Sequence, residues 1–263
     1  MKFASQIKLY RKLRFRKGFR VHSPFAFNLI TKVIEEKMQF YVFDEIEKFR
    51  AGLVENKNNH IETQHRNYGA LLFRLAGYFD CRSVLQIRGY TGIMSLYLAS
   101  ASRKCECYVL ENDIPMTSAA KRYADLHKID NLHFMEGNYT ETLNKLKDTV
   151  DKFDFIFINY QGDADKTLEV ISLVRSFIAE KTILVIDSIS SNNQMKTLWH
   201  NVKHNDATKV TVDLFAVGIV FFMKKLNKQH YKSYFDYGKK QNLYPKRRRR
   251  FHFAGWRKKS AKA

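Results

Sequence analysis

Between Arg82 and Ser102 the chain reads R-S-V-L-Q-I-R-G-Y-T-G-I-M-S-L-Y-L-A-S-A-S. The apolar run from Val84 to Ile87 has the length and branching of a buried strand. Gly89 and Gly92 mark a turn after it, and Ile93, Leu96 and Tyr97 follow at helical spacing. Strand, glycine turn and helix, in that order, open a βαβ unit whose backbone N–H groups at the helix start can face an anionic or polar ligand. Two glycines three apart are common in loops. The alternation that follows constrains the fold much further.

Strand-like runs at 106–110, 132–135, 153–158 and 182–186 are separated by helical patterns at 114–126, 140–146, 164–178 and 193–202. Largely apolar strands alternating with helices imply a parallel sheet covered on both faces. The end differs. Lys209 to Leu214 and Gly218 to Met223 are joined only by Phe215-Ala216-Val217, which predicts a hairpin and an antiparallel edge. The expected fold is therefore α/β, a Rossmann-like doubly wound, mostly parallel sheet. It has seven strands and a C-terminal antiparallel β-hairpin.

Ahead of the first strand the pattern is helical. Ile7, Tyr10 and Leu13 recur three apart among cations, and Ser23-Pro24 supplies an N-cap and first-turn proline for the next helix. Further helices are expected at 42–53 and 67–79, with a polar loop at 55–65 between them. This gives three segments: a basic N-terminal segment with a helical lid or flank at 1–80, a Rossmann-like domain at 81–223, and a basic aromatic tail at 224–263.

The three cysteines, Cys81, Cys105 and Cys107, are odd in number and lack C-x-x-C spacing, so they read as reduced core or edge residues. No apolar run reaches the roughly 18 residues that span a bilayer, and the basic N-terminus has no apolar signal-peptide core. The expectation is a soluble, cytoplasmic protein.

Several stretches carry a family resemblance. The five βα units, the glycine turn after the first strand, the acid ending the second strand and the closing hairpin resemble class I S-adenosylmethionine-dependent methyltransferases. V-H-S-P-F-A-F-N-L-I at 21–30, Y-G-A-L-L-F-R-L-A-G-Y-F at 68–79 and V-D-L-F-A-V-G-I-V-F-F at 212–222 resemble one group of them. The closer resemblance is to the O-methyltransferase-like group of Bacteroidetes-type bacteria. What it implies is transfer of a methyl group from S-adenosylmethionine to an oxygen or nitrogen of a small-molecule or RNA-associated acceptor.

The resemblance also assigns positions. The family ends its first strand E-L-G-x-x-x-G; here Gln86, Ile87 and Arg88 stand in the first three places, and Gly92 matches the second glycine. Gln86 can accept a hydrogen bond but brings no charge to the cofactor's amino-acid end. Arg88 either binds the cofactor's carboxylate or fills the pocket, with Gly89 partly replacing the lost glycine. Glu111, at the end of the second strand, is the acid for the ribose hydroxyls. Gly137 and Asn138 stand where the family contacts adenine, and Asn159 where an acid ends the fourth strand. Asp187 ends the fifth strand, either as a general base or as an acid ordering the turn. One carboxylate with an amide and a hydroxyl makes a poor hard-cation site, so no metal is expected. Because the first-strand motif is altered, the competing expectation is a catalytically degenerate methyltransferase-fold protein acting through its basic ends.

Those ends hold most of the charge. The net charge is +20, and residues 1–20 contribute eight Lys or Arg with no acid. Residues 224–263 contribute fifteen Lys or Arg with one acid, Asp236, which leaves −2 for residues 21–223. Cations interleaved with Tyr, Phe and Trp fit either nucleic acid or an anionic membrane surface.

Overall fold

The computed structural model describes residues 2–55, 66–112, 114–160 and 162–238. Most of the 55–65 loop and the tail beyond Gly238 lie outside the described residues. The N-terminal flank comprises α1 (Lys2–Arg14), α2 (Pro24–Leu29) with a π-turn over Ile30–Ile34, α3 (Tyr41–Glu55) and α4 (Arg66–Tyr78). As the sequence requires, the Ser23 hydroxyl accepts from the Ala26 amide, 3.4 Å, and Pro24 stands in the first turn.

The alternating core follows as β1 (Ser83–Ile87), α5 (Ile93–Ala99), β2 (Glu106–Glu111), α6 (Ile114–Leu126), β3 (Leu132–Glu136) and α7 (Tyr139–Lys147). It continues as β4 (Phe155–Ile158), α8 (Ala164–Val174), β5 (Ile183–Ile186) and α9 (Asn193–His204). β6 (Val210–Asp213) and β7 (Gly218–Phe221) form the expected hairpin. The strand order is β3-β2-β1-β4-β5-β7-β6-β8, with β7 antiparallel to both its neighbours and the other pairings parallel.

The sheet has eight strands where the sequence pattern predicts seven. The extra one, β8 (Gln229–Lys232), pairs in parallel with β6 inside the segment read as a tail. Its four residues are polar and mostly exposed, so an edge strand of this kind leaves no alternating apolar signal.

Strand residues divide by parity between two cores. Val84 packs with α4, α5 and the N-terminal flank, and Leu85 and Ile87 pack with α7, α8 and α9. On the first face α4 lies close to α5 because Gly69 has no side chain. A Cβ there would fall 2.3 Å from the Tyr97 ring. Tyr97 is fully buried, and its hydroxyl donates to Glu47 of α3 at 2.8 Å.

Beyond β8 the chain turns back over the carboxyl edge. The Tyr234 amide donates to Phe15 O at 3.1 Å, the Tyr237 hydroxyl to Leu214 O at 3.1 Å, and Asn67 Nδ2 to Asp236 O at 2.8 Å. α1 docks on the same edge through Arg11 Nη1, which donates to both the carboxylate and the carbonyl of Asp213 at 2.9 and 3.0 Å. Cys81, Cys105 and Cys107 are buried thiols, and burial pushes Cys105 up to about 12.

Candidate active site at the carboxyl edge of the sheet

β1 and β4 lie side by side while their chain connections run in opposite directions, β1 toward β2 and β4 toward β5. An open α/β sheet binds ligands at such a switch point, outside the carboxyl ends of its strands. The residues just past these ends therefore define the candidate site.

After β1 the Arg88 amide continues the ladder to Leu110 O, 2.8 Å, and the turn closes with the Gly92 amide on Gly89 O, 2.9 Å. Gly89 lets the turn lie against β2, since a Cβ would meet Val109 Cγ1 at 2.4 Å. Gly92 has φ +73°, and a Cβ there would come 2.2 Å from Ala120 of α6. Arg88 and Tyr90 are themselves left-handed, at φ 66° and 50°. An L-residue costs roughly 1–2 kcal/mol in that region, so the turn holds two strained side chains where glycine would be easier.

The Arg88 guanidinium lies over the Tyr90 ring at 4.3 Å and the Tyr160 ring at 5.3 Å, bridging the ends of β1 and β4. Tyr160 in turn meets Tyr139 edge-on at 6.2 Å. Glu111 is 5% exposed, and its two carboxylate oxygens accept from the Tyr90 and Asn112 amides, each at 2.8 Å. It thereby ties the β1 turn to the end of β2. Burial pushes the Tyr90 phenol up, Glu111 and Asp187 add to this, and Arg88 works against it. Arg88, Tyr90, Glu111, Tyr160 and Asp187 thus share one electrostatic neighbourhood.

Asp187 follows β5, its amide donating to Ile158 O at 3.0 Å. Burial raises its carboxyl above the usual carboxylate range. The Ser188 hydroxyl, which donates to Oδ2 at 2.7 Å, and the nearby Tyr68 oppose that rise. Ser188 has φ 59°, a third left-handed side chain on this edge. The Tyr68 hydroxyl is buried beside Asp187, and burial together with that carboxylate pushes the phenol well up. Tyr237, arriving from the C-terminal strap, packs edge-on against Tyr68 at 6.2 Å.

The other sequence candidates are placed differently. Gln86 is fully buried one residue below the edge, its Oε1 accepting from Ser95 of α5 at 2.9 Å, and its Nε2 has no partner among the described residues. Asn138 caps α7, with Oδ1 accepting from the Thr140 and Glu141 amides at 2.8 and 3.4 Å. The left-handed backbone next to it belongs to Gly137, at φ 120°. Asn159 is 2% exposed, and its amide reaches Ile87 O at 3.3 Å. Among the described residues no three His, Cys, Asp or Glu side chains gather as metal ligands. Sequence reasoning missed the tyrosines. Tyr90 and Tyr160 adjoin residues it singled out, whereas Tyr68 and Tyr237 come from distant segments and leave no local signal.

The family model described as a methyltransferase domain matches residues 88–189, which begin at Arg88 and end just past Ser188. Residues 88–189 resemble a methyltransferase domain. Its fold is shared with solved methyltransferases. The SAH-bound methyltransferase from Podospora anserina is 16% identical with a TM-score of 0.57, covering 76% of this chain and 96% of its own. The O-methyltransferase from Bacillus cereus, solved in complex with SAH, is 14% identical with a TM-score of 0.54, covering 74% and 96%. The O-methyltransferase TomG from Streptomyces achromogenes, involved in tomaymycin synthesis and solved with SAM, is 15% identical with a TM-score of 0.55, covering 70% and 91%. No curated protein matches the chain. The matched segment therefore contains the whole carboxyl-edge cluster except Gln86 and the two residues that reach it from outside, Tyr68 and Tyr237.

Proposed function

We propose that this protein is an S-adenosylmethionine-dependent methyltransferase acting on an oxygen or nitrogen of a small-molecule acceptor. The observation that carries the reading is the cluster of Arg88, Tyr90, Glu111, Tyr160 and Asp187 at the switch point of a matched methyltransferase domain.

The residues present fit the cofactor. A carboxylate offers about four acceptor sites, so Glu111 can take ribose hydroxyls beside the two amides it already holds. Arg88 is held between two tyrosine rings, which pre-orients a guanidinium for the carboxylate of the amino-acid part. Gln86 Nε2 is a buried donor without a partner among the described residues, a state that costs about 1–3 kcal/mol until an acceptor arrives. Gly137 and Asn138 border the adenine side, and the Asn159 backbone closes the floor between β1 and β4.

When bound, S-adenosylmethionine supplies a methyl group on positively charged sulfur. The chain's own part is orientation and proton acceptance. Asp187, buried and with a raised pKa, takes the proton from the acceptor's hydroxyl or amine.

Isothermal titration of the full chain with S-adenosylhomocysteine tests the reading. Binding heat at micromolar to millimolar ligand is expected, weakened about tenfold in Arg88→Gly, the loss of one charge-assisted hydrogen-bond pair. No heat at millimolar ligand would sink the enzyme reading and favour a protein acting only through its basic ends. Tighter binding by Arg88→Gly would show that the guanidinium fills the pocket.

A further inference from the structure

A surface helix of a globular protein turns its apolar stripe inward. Among its described side chains α1 does the reverse. Its Arg11 faces the body, paired with Asp213 and lying over the Phe215 ring at 5.4 Å. Leu9, Tyr10 and Leu13, which share another face at helical spacing, are 58%, 54% and 78% exposed. Lys12 and Arg14 flank that stripe and are exposed. Past the helix, Phe19 is 61% exposed between exposed Lys17 and Arg20. The docking is specific, since Phe15 O also accepts from the Tyr234 amide. The outward apolar face therefore does not come from a helix lacking a seat.

We propose that α1 and the turn to Arg20 are a docking face for an anionic lipid bilayer. Leu9, Leu13 and Phe19 enter the boundary between headgroups and acyl chains, and the flanking cations meet lipid phosphates. Charge and apolarity choose this partner together. Nucleic acid is held by cations on phosphates and aromatics on bases, and exposed leucines serve neither contact. A second copy would bring the same exposed cations, Lys12, Arg14, Lys17 and Arg20, against those of the first, which repels. Residues 239–263 add eleven Lys or Arg and no acid, charge of the sign that a bilayer of anionic lipid attracts.

The position matters as well. Asp213 ends β6 opposite Gly218, the residue that also pairs with Ile186 at the end of β5. Helix α1 is therefore seated on the same sheet edge as Asp187. The proposal does not depend on the methyl-transfer reading.

Flotation of the full chain with vesicles of phosphatidylcholine alone, and with about 30% phosphatidylglycerol, tests it. Binding only to the anionic vesicles is expected, falling as salt rises from about 0.05 to 0.3 M. Leu9→Asn/Leu13→Asn, at exposed positions, should keep the melting temperature and lose vesicle affinity about tenfold or more. Lys12→Gln/Arg14→Gln should weaken binding and flatten its salt dependence. Unchanged vesicle binding by the leucine variant overturns the proposal. So does tight binding of a single-stranded RNA of about 20 nucleotides with no vesicle binding, which would assign the face to nucleic acid.

Discussion

Arg88 is subject to two opposing effects. A left-handed L-residue costs roughly 1–2 kcal/mol, while its stacking on Tyr90 and Tyr160 returns roughly 0.5–1 kcal/mol per ring. Strain and stacking offset each other, so the fold gains little from an arginine there, which is how a residue kept for ligand contact behaves. Asp187 gives a sharper test. Burial raises its pKa, so the folded state prefers the protonated carboxyl. Stability from that preference is fully present below the ordinary value of 3.8 and is lost as pH rises through the folded-state pKa. Asp187→Asn should therefore be more stable than wild type in urea at pH 7, with the gap closing near pH 4. Methyl transfer should fall about 10²–10⁴-fold in the same variant, the range for losing a general base. A variant equally stable at both pH values would show that the carboxyl is not held against its charge. At this scale the sequence is informative only where strand position decides the outcome. Glu111 and Asp187 are legible because they end apolar runs. Asn138 reads equally well as a turn residue or a ligand contact, and its capping role emerges only once the Thr140 and Glu141 amides are placed.

At the level of elements the helices and strands of the central alternation are visible in the chain, because period 2 and period 3.6 report burial directly. β8 is not, since its pairing with β6 rests on the backbone ladder and one Thr211–His230 side-chain hydrogen bond at 2.9 Å, neither of which leaves an apolar period. Close approaches between elements are equally silent. Gly69 resembles any helical glycine until Tyr97 is seen to occupy the space a Cβ would need. Gly69→Ala should gain about 1 kcal/mol of helix propensity, whereas overpacking a buried site costs roughly 1–3 kcal/mol. Packing outweighs propensity here, because the Tyr97 hydroxyl is fixed on Glu47 and the ring has little freedom to retreat. A lowered melting temperature is the expected result, by about 2–4 °C for each net kcal/mol. A raised one would mean that α4 and α5 can separate without loss.

For the molecule as a whole, the basic ends read in the sequence as two appendages, and the structure joins part of them. Removing everything past Met223 would strip β8 from β6, uncover a strand edge and take Tyr237 away from Tyr68. Such a chain should melt several degrees lower and self-associate on size-exclusion chromatography, whereas one ending at Gly238 should do neither. Equal behaviour of the two truncations would show that the strap adds nothing to the fold. The distinction could not be drawn from composition, which is uniformly basic across residues 224–263.

The contact between Phe15 and Tyr234 also has a consequence in time. Its partners are separated by more than two hundred positions, as are Arg11 and Asp213. At about 5–20 residues per second of synthesis, α1 waits roughly 10–45 s before its seat exists. Throughout that interval its leucines and cations are presented without the contacts that seat the helix. A surface met in that interval can thus select α1 before its seat on the sheet competes for it.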